Sequence, residues 1–463
     1  MTDPLVETLA GASAWIVGGT VRDELLGRDV TDVDVAVAGD PEQAARSLAR
    51  TVRGPVFRLS ERFGAWRALD RRAGLTYDVS ALQGETIEAD LARRDFSVNA
   101  MARAVAGGPV IDPEGGRADL EGRVLRVLSR ESYEADPLRA LRLARLAAEL
   151  GFAPDAATEE LTRGAAPRLV GASAERVFGE LKRLVSAPGA LEGVTLADRL
   201  GLLRVVLPEL HDLHDVEQSG YHHLDVYGHT VEVLAHQIEL EGRLDELFGE
   251  LAPRLRAVLD EPLADDLTRG QAIRLGALLH DVGKPATRGV RPDGRVTFIG
   301  HDELGERMVR DLCRRLRTSE RLSRFLEGLT RTHLALGFLV HARPLDRAAV
   351  YRYLTGTSPV EVEVTLLSCA DRLATRGRKA DEAIAAHLEL ARELMGAALA
   401  WRADGPPPPP LRGHELAREL GMAPGPELGR LLGRLEEAAF TGEASDREQA
   451  VELARALRED PDR

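Results

Sequence analysis

A chain of 463 residues, 44% hydrophobic and 29% charged, calls for a globular protein of about three domains and excludes a disordered one. A net charge of −14 excludes a uniformly basic nucleic-acid binder, so nucleic-acid contact would rest on local surfaces rich in arginine. Two cysteines, Cys313 and Cys369, cannot make a disulfide framework, and with no basic leader or bilayer-length apolar run the expectation is a cytoplasmic protein without a membrane partner.

Up to about residue 125 the chain mixes strand-like runs at 14–17, 33–37, 65–69, 75–79 and 123–127 with a helix at 41–50. That order predicts a small mixed sheet with helices on one side. The apolar run Trp15-Ile16-Val17 enters Gly18-Gly19, where a bare backbone can come close to a ligand. Thr20 is placed to cap a short helix from Val21 to Leu26 that contains Arg22. Asp32 and Asp34 follow two apart on one strand, so their carboxylates share a face. Such a pair beside a glycine turn suits Mg2+ held against a triphosphate, although a lone Asp-x-Asp is also an ordinary solvated strand edge. Asp78, on a later strand, either completes that cage and helps deprotonate a hydroxyl or is a plain sheet-edge residue.

Next come Arg93, Arg94, Asp95 and Asn99. Guanidinium forks take phosphate, and Asp or Asn takes a sugar hydroxyl; a capped helix with a basic end is the alternative. From Ser129 the pattern turns helical. A helix is expected from Tyr133 to Leu150, carrying Asp136, Arg139, Arg142 and Arg145. Spaced i, i+3, Asp136 and Arg139 would share one helix face. An acceptor beside a donor matches the pairing edges of cytosine and adenine and leaves polar groups unpaired against uracil. The bland reading is a surface ion pair. A helix at 173–185 carries Glu175, Arg176 and Glu180, and further helices are expected at 225–241, 270–280, 302–316, 345–354, 359–374 and 379–401. A stiff Pro-rich linker at 405–410 leads to a small helical tail.

Gly18, Gly19, Val21, Arg22, Asp23, Asp32 and Asp34 together resemble the Gly-Gly-x-Val-Arg-Asp…Asp-x-Asp signature of polymerase-β-type nucleotidyltransferases. In particular they resemble class II tRNA nucleotidyltransferases (CCA-adding enzymes) and bacterial poly(A) polymerases. The run from Arg93 to Ala100 resembles that family's ribonucleotide-recognition signature. Asp136 and Arg139 resemble its base-reading motif, with Ala135 where the family has Glu; Glu175, Arg176 and Glu180 resemble a motif that orients it. The segment between Asp78 and Arg93 is short and lacks a basic residue. Members that add all three nucleotides resemble one another in a longer basic loop there, so two Cs alone are the expected addition, with the A left to a partner enzyme. The bland alternative gives the loop's work to another segment, such as Arg58 to Gly64.

Histidines crowd the second half: His222, His223, His229, His280, His301 and His333, with Asp281 and Asp371. Imidazole and carboxylate together suit a transition-metal or Mg2+ site that activates water, although a single histidine is more often structural. The ordered set His229, His280-Asp281, Asp371 resembles the HD superfamily of metal-dependent phosphohydrolases, in which His301 and His333 would be extra ligands of two-metal members. The resemblance implies an α+β head at 1–128, a helical neck and body at 129–215, an HD domain at 216–402 and a linker with tail at 403–463. It also implies transfer of C, with A left open, from CTP or ATP to the acceptor arm of tRNA. Rival readings are a poly(A) polymerase of the same fold and an HD phosphohydrolase with a nucleotide-sensing head.

Overall fold

The computed structural model describes residues 3–60, 64–218, 224–375 and 380–459. The chain divides into two compact units, Met1–Val206 and Leu207–Arg463.

The first unit is built on a six-stranded sheet: β1 Ala14–Val17, β2 Asp32–Val37, β3 Val56–Ser60, β4 Ala65–Asp70, β5 Leu75–Ala81 and β6 Ala102–Ala104. Its order is β3-β4-β5-β2-β1-β6. β2 and β5 run parallel at its centre, and the remaining neighbours are antiparallel. Alternation in β2 sends Val33, Val35 and Val37 into the core and leaves Asp32 and Asp34 on the other face. The helix Pro41–Val52 packs on β4 and β5 with Ala45 and Leu48 fully buried. Asp40 caps it by accepting from the Glu42 amide, and Pro41 needs no partner at its first position.

Three expectations change here. The run 123–127 is no strand of this sheet: Val124–Leu125 pairs in parallel with Ala153–Pro154. The sheet instead takes in β3 and β6. The expected helix from Tyr133 to Leu150 is two helices, Arg130–Ala135 and Leu138–Leu150. Pro137 causes the break, because its ring disfavours helical backbone in the residue before it, and Asp136 is extended at φ −150° and ψ 98°. Finally, the helix after the glycines spans Gly19–Leu25 and has no side-chain cap.

Among the described residues the second unit is helical apart from two short ladders, 262–264 with 267–268 and 289–290 with 296–297. The expected helices appear within a few residues of their predicted ends: Val226–Gly242, Arg269–Leu279, His301–Leu316, Arg347–Thr357, Glu361–Leu373 and Ala380–Asp404. After the prolines, helices Gly413–Leu420, Pro426–Thr441 and Arg447–Glu459 enclose a small core of Leu416, Leu435, Ala450 and Ala454.

Candidate active site and second metal centre

β1 ends by handing the chain to Gly18, whose φ of 69° is left-handed. A Cβ there would lie 2.7 Å from Arg94 Nη1 and 3.5 Å from Asp34 Oδ2, so the turn needs glycine on two counts. Thr20 is buried, and it pins β2 instead of capping the helix. Its hydroxyl accepts from the Asp34 amide at 2.8 Å and donates to the Asp32 carbonyl at 3.3 Å.

The parallel register sets Asp34 directly beside Asp78 and Asp32 beside Thr76. Asp34 and Asp78 thus stand side by side on neighbouring strands, with Asp32 two residues before Asp34 on the same face. Burial, with Asp78 and Asp32 adding to it and Arg94 opposing, pushes the Asp34 carboxyl up to about 6. A group of hard oxygen donors destabilised by its own negative charge fits a divalent cation. Asp78 is already engaged: Arg67 donates Nε and Nη2 to its two oxygens, at 2.7 Å each.

The remaining head residues form a chain of bonds into the neck. Arg22 donates to Asp23 and, at 2.7 Å, to Asn99 Oδ1. Asn99 donates to Asp95 at 3.0 Å, and Arg142 donates to the other Asp95 oxygen at 2.8 Å. Glu180 then accepts from both Arg142 and Arg145. Burial alone would raise the Asp95 carboxyl, but Arg142 and Asn99 outweigh it and hold it well below the usual carboxylate range. Arg94 is clamped to Asp90, while the Arg93 side chain is exposed.

Asp136 and Arg139 do not share a helix face, since Asp136 lies in the break. Its carboxylate accepts from Arg176 at 2.5 Å. Arg139 Nη1 donates to the carbonyls of Arg93, Arg94 and Ser132. Glu175 stands in the first turn of the helix Ala174–Ser186, which also carries Arg176 and Glu180.

In the second unit the ligand atoms of His229, His280 and Asp371 lie within 4.8 Å of one another, and so do those of Asp281, His301 and His333. The sequence-predicted residues therefore make two adjoining groups; His222 and His223 lie outside the described residues. His280, His301 and His333 are set alike. Each places Nδ1 on the carbonyl three residues before it, Ala277, Phe298 and Thr330, at 2.7–2.8 Å. A carbonyl accepts only from N–H, so Nδ1 carries a proton in all three rings; His280 Nε2 lies 3.1 Å from an Asp281 oxygen, whose charge outweighs burial and raises the pKa of that ring. Burial, helped by His280, lowers His333 to about 4, so its ring is neutral and ready to ligate near pH 7. His301 Nε2 and Lys284 Nζ come within 3.3 and 2.6 Å of Asp281 oxygens. The donor set fits a divalent transition ion or Mg2+.

Sequence reading gave Thr20 a capping bond in place of its bonds to β2, and it missed Arg67, the Asp90 clamp on Arg94 and Asn99's bond to Arg22. For Arg67 a signal existed: counting back from a turn at Arg71–Gly74 pairs it with Asp78.

Family models match in chain order: the Poly A polymerase head domain at residues 14–126, the probable RNA and SrmB-binding site of polymerase A at 151–213, and the HD domain at 226–376. The chain is 37% identical to an A-adding tRNA nucleotidyltransferase of Deinococcus radiodurans, over 94% of each chain. It is 36% identical to a CC-adding tRNA nucleotidyltransferase of Thermus thermophilus, over 94% of this chain and 92% of the relative. A CCA-adding enzyme in complex with ATP shares the fold with a TM-score of 0.65 at 20% identity, covering 99% of this chain and 96% of that one. The Thermotoga maritima CCA-adding enzyme complexed with tRNA has a TM-score of 0.61 at 20% identity, over 98% of this chain and 93% of that one. With a glycine turn set against paired aspartates, a helical neck wired to it and relatives matched nearly end to end, the chain belongs to the tRNA nucleotidyltransferase family.

Proposed function

We propose that the head transfers CMP from CTP to the 3′ end of tRNA, with Mg2+ held by Asp32 and Asp34 and the cage completed by Asp78. The observation that carries this reading is the placement of Asp34 beside Asp78, across from Gly18. The tRNA 3′ hydroxyl attacks the α-phosphorus, and the bond to pyrophosphate breaks. A bound divalent ion would lower the pKa of that hydroxyl and steady the leaving charge. Gly18 and Gly19 let the phosphates approach the backbone, and Arg22, Arg93 and Arg94 supply positive charge beside them. Asp95 and Asn99 hold the ribose. Asp136 and Arg139 read the base, oriented by Arg176, with Arg142 and Arg145 fixed by Glu180. The segments 1–128, 129–215, 216–402 and 403–463 serve as head, neck and body, HD domain and tail, the helical parts holding the acceptor arm. Free, buried Cys313 and Cys369 support a reducing, cytoplasmic setting.

The segment after β5 supports addition of two Cs. Asp90 is buried, accepts from the Gln83 amide at 2.8 Å and clamps Arg94, while Thr86 caps the helix Ile87–Leu91. So short a segment, tied at both ends, has no slack to reshape the pocket for A. A trimmed tRNA given each triphosphate alone and all four together should gain two Cs, and a generic RNA should gain none. A product three nucleotides longer, ending in A, removes the CC reading and with it the need for a partner A-adding enzyme. Extension of generic RNA with ATP supports the poly(A) polymerase instead.

The locked imidazoles support a second, hydrolytic centre that takes a divalent metal ion. His280→Ala should weaken Mn2+ binding there by about tenfold or more and abolish hydrolysis of a cyclic nucleotide phosphodiester, with nucleotide addition retained. If the unaltered protein holds no metal there and hydrolyses neither cyclic nor terminal phosphates, the centre is structural.

A further inference from the structure

The guanidinium groups near the head carboxylates are not equivalent. Arg22 is spent on Asp23 and Asn99, and Arg94 on Asp90. Arg67 is forked onto one of the three carboxylates itself. It stands opposite Asp78 in the antiparallel β4–β5 register and donates to both oxygens at 2.7 Å. Asp32 and Asp34 also favour its charge. Its side chain is 31% exposed, so a released guanidinium has solvent to move into.

We propose that Arg67 is a resident counter-cation of the head, partnering Asp78 in the metal-free protein and competing with the divalent ion for it. The inference rests on reading Asp32, Asp34 and Asp78 as the metal carboxylates. The fork occupies both oxygens of Asp78 in the carboxylate plane, where a bidentate guanidinium binds best. The fork takes one lone pair on each Asp78 oxygen, and Mg2+, which demands near-octahedral oxygen geometry at about 2.0–2.1 Å, meets a positive charge already seated on that carboxylate. Ion binding is therefore an exchange of one cation for another. The exchange also disfavours monovalent ions, whose single charge cannot outbid a guanidinium already in place. Arg67 is a positioning residue by this account, acting through Asp78.

The test reads Mn2+ binding to the full chain by loss of the free-ion resonance signal. The head's share is the difference from the same chain carrying Asp32→Ala. Arg67→Gln should bind Mn2+ in the head about fivefold more tightly or better, since a competing charge is gone. Without metal it should melt below the unaltered protein, and saturating Mn2+ should close that gap. Asp78→Asn should bind about fivefold more weakly or worse. Equal or weaker binding by Arg67→Gln overturns the proposal. So does unchanged binding by Asp78→Asn, which decides the matter even if Arg67→Gln does not fold. If Asp32→Ala removes no Mn2+ binding at all, the metal reading of the head fails, and the proposal falls with it.

Discussion

Asp34→Asn should lower nucleotide addition by on the order of 10³-fold and at the same time raise the melting temperature of the metal-free protein. The first effect follows from the proposed role of Asp34 as a metal carboxylate: several kcal/mol of charge stabilisation at the reacting phosphate would be lost, and about 1.4 kcal/mol is a factor of ten. The second follows from the electrostatics. Burial and the neighbouring Asp78 and Asp32 push the Asp34 carboxyl from its ordinary 3.8 to about 6. A carboxyl that holds its proton more tightly in the folded than in the unfolded chain destabilises the fold once it ionises. The sign is therefore a loss of stability as pH rises between 3.8 and about 6, persisting above. An amide at this position has no such titration. Single-turnover incorporation and thermal melting in the presence of a chelator measure the two effects. Near-normal turnover with Mg2+ would sink the metal role, and a lower melting temperature would sink the electrostatic account.

Arg142→Ala is expected to be among the most destabilising single changes in the first unit. It leaves Asp95 and Glu180, whose side chains are 7% and 10% exposed, without the guanidinium that joins them. Breaking a buried ion pair from one side costs about 3–5 kcal/mol, because the stranded charge keeps its desolvation penalty. Urea unfolding should show this as a fall in midpoint without a change in slope. The same pair gives acid sensitivity. Asp95 is held well below the ordinary carboxylate range, so its contribution is complete above that range and is lost as pH falls through it towards the folded-state value. In Arg142→Ala this acid dependence should shrink. A loss under about 1 kcal/mol would show that water or a rearranged side chain replaces the guanidinium.

The glycine turn, the aspartate pair and His280-Asp281 were legible because each is a short pattern whose geometry is set within a few residues. Periodicity placed the helices of the second unit to within a few positions for the same reason. Where neighbours distant in sequence decide, the reading ran out. β3 puts Phe57 and Leu59 on its exposed side, 44% and 45% exposed, so its apolar alternation points away from a core. β6 is Ala-Arg-Ala, with little strand propensity, and exists because β1 accepts it in register. At Asp136-Pro137 the breaker was visible, but the Leu/Ala/Arg period on either side masked it. The Arg67 fork follows only once the β4–β5 register is counted from its turn, and the shared Nδ1 bond of three imidazoles depends on carbonyl positions that the spacing of the histidines does not state.

The bonded row from Asp23 through Arg22, Asn99, Asp95, Arg142, Glu180, Arg145 and Glu149 to Arg183 has a further consequence. Its charges alternate and cancel: four acids, four arginines and one amide between them. Such a row acts as a gauge. Each side chain between the two ends is held from both sides, so the spacing of the helix Gly19–Leu25 from the neck helices is fixed by a bond at every step. On the proposed function the row is the frame that holds the helices carrying Arg139 and Arg176, so an incoming base meets donors and acceptors at set positions.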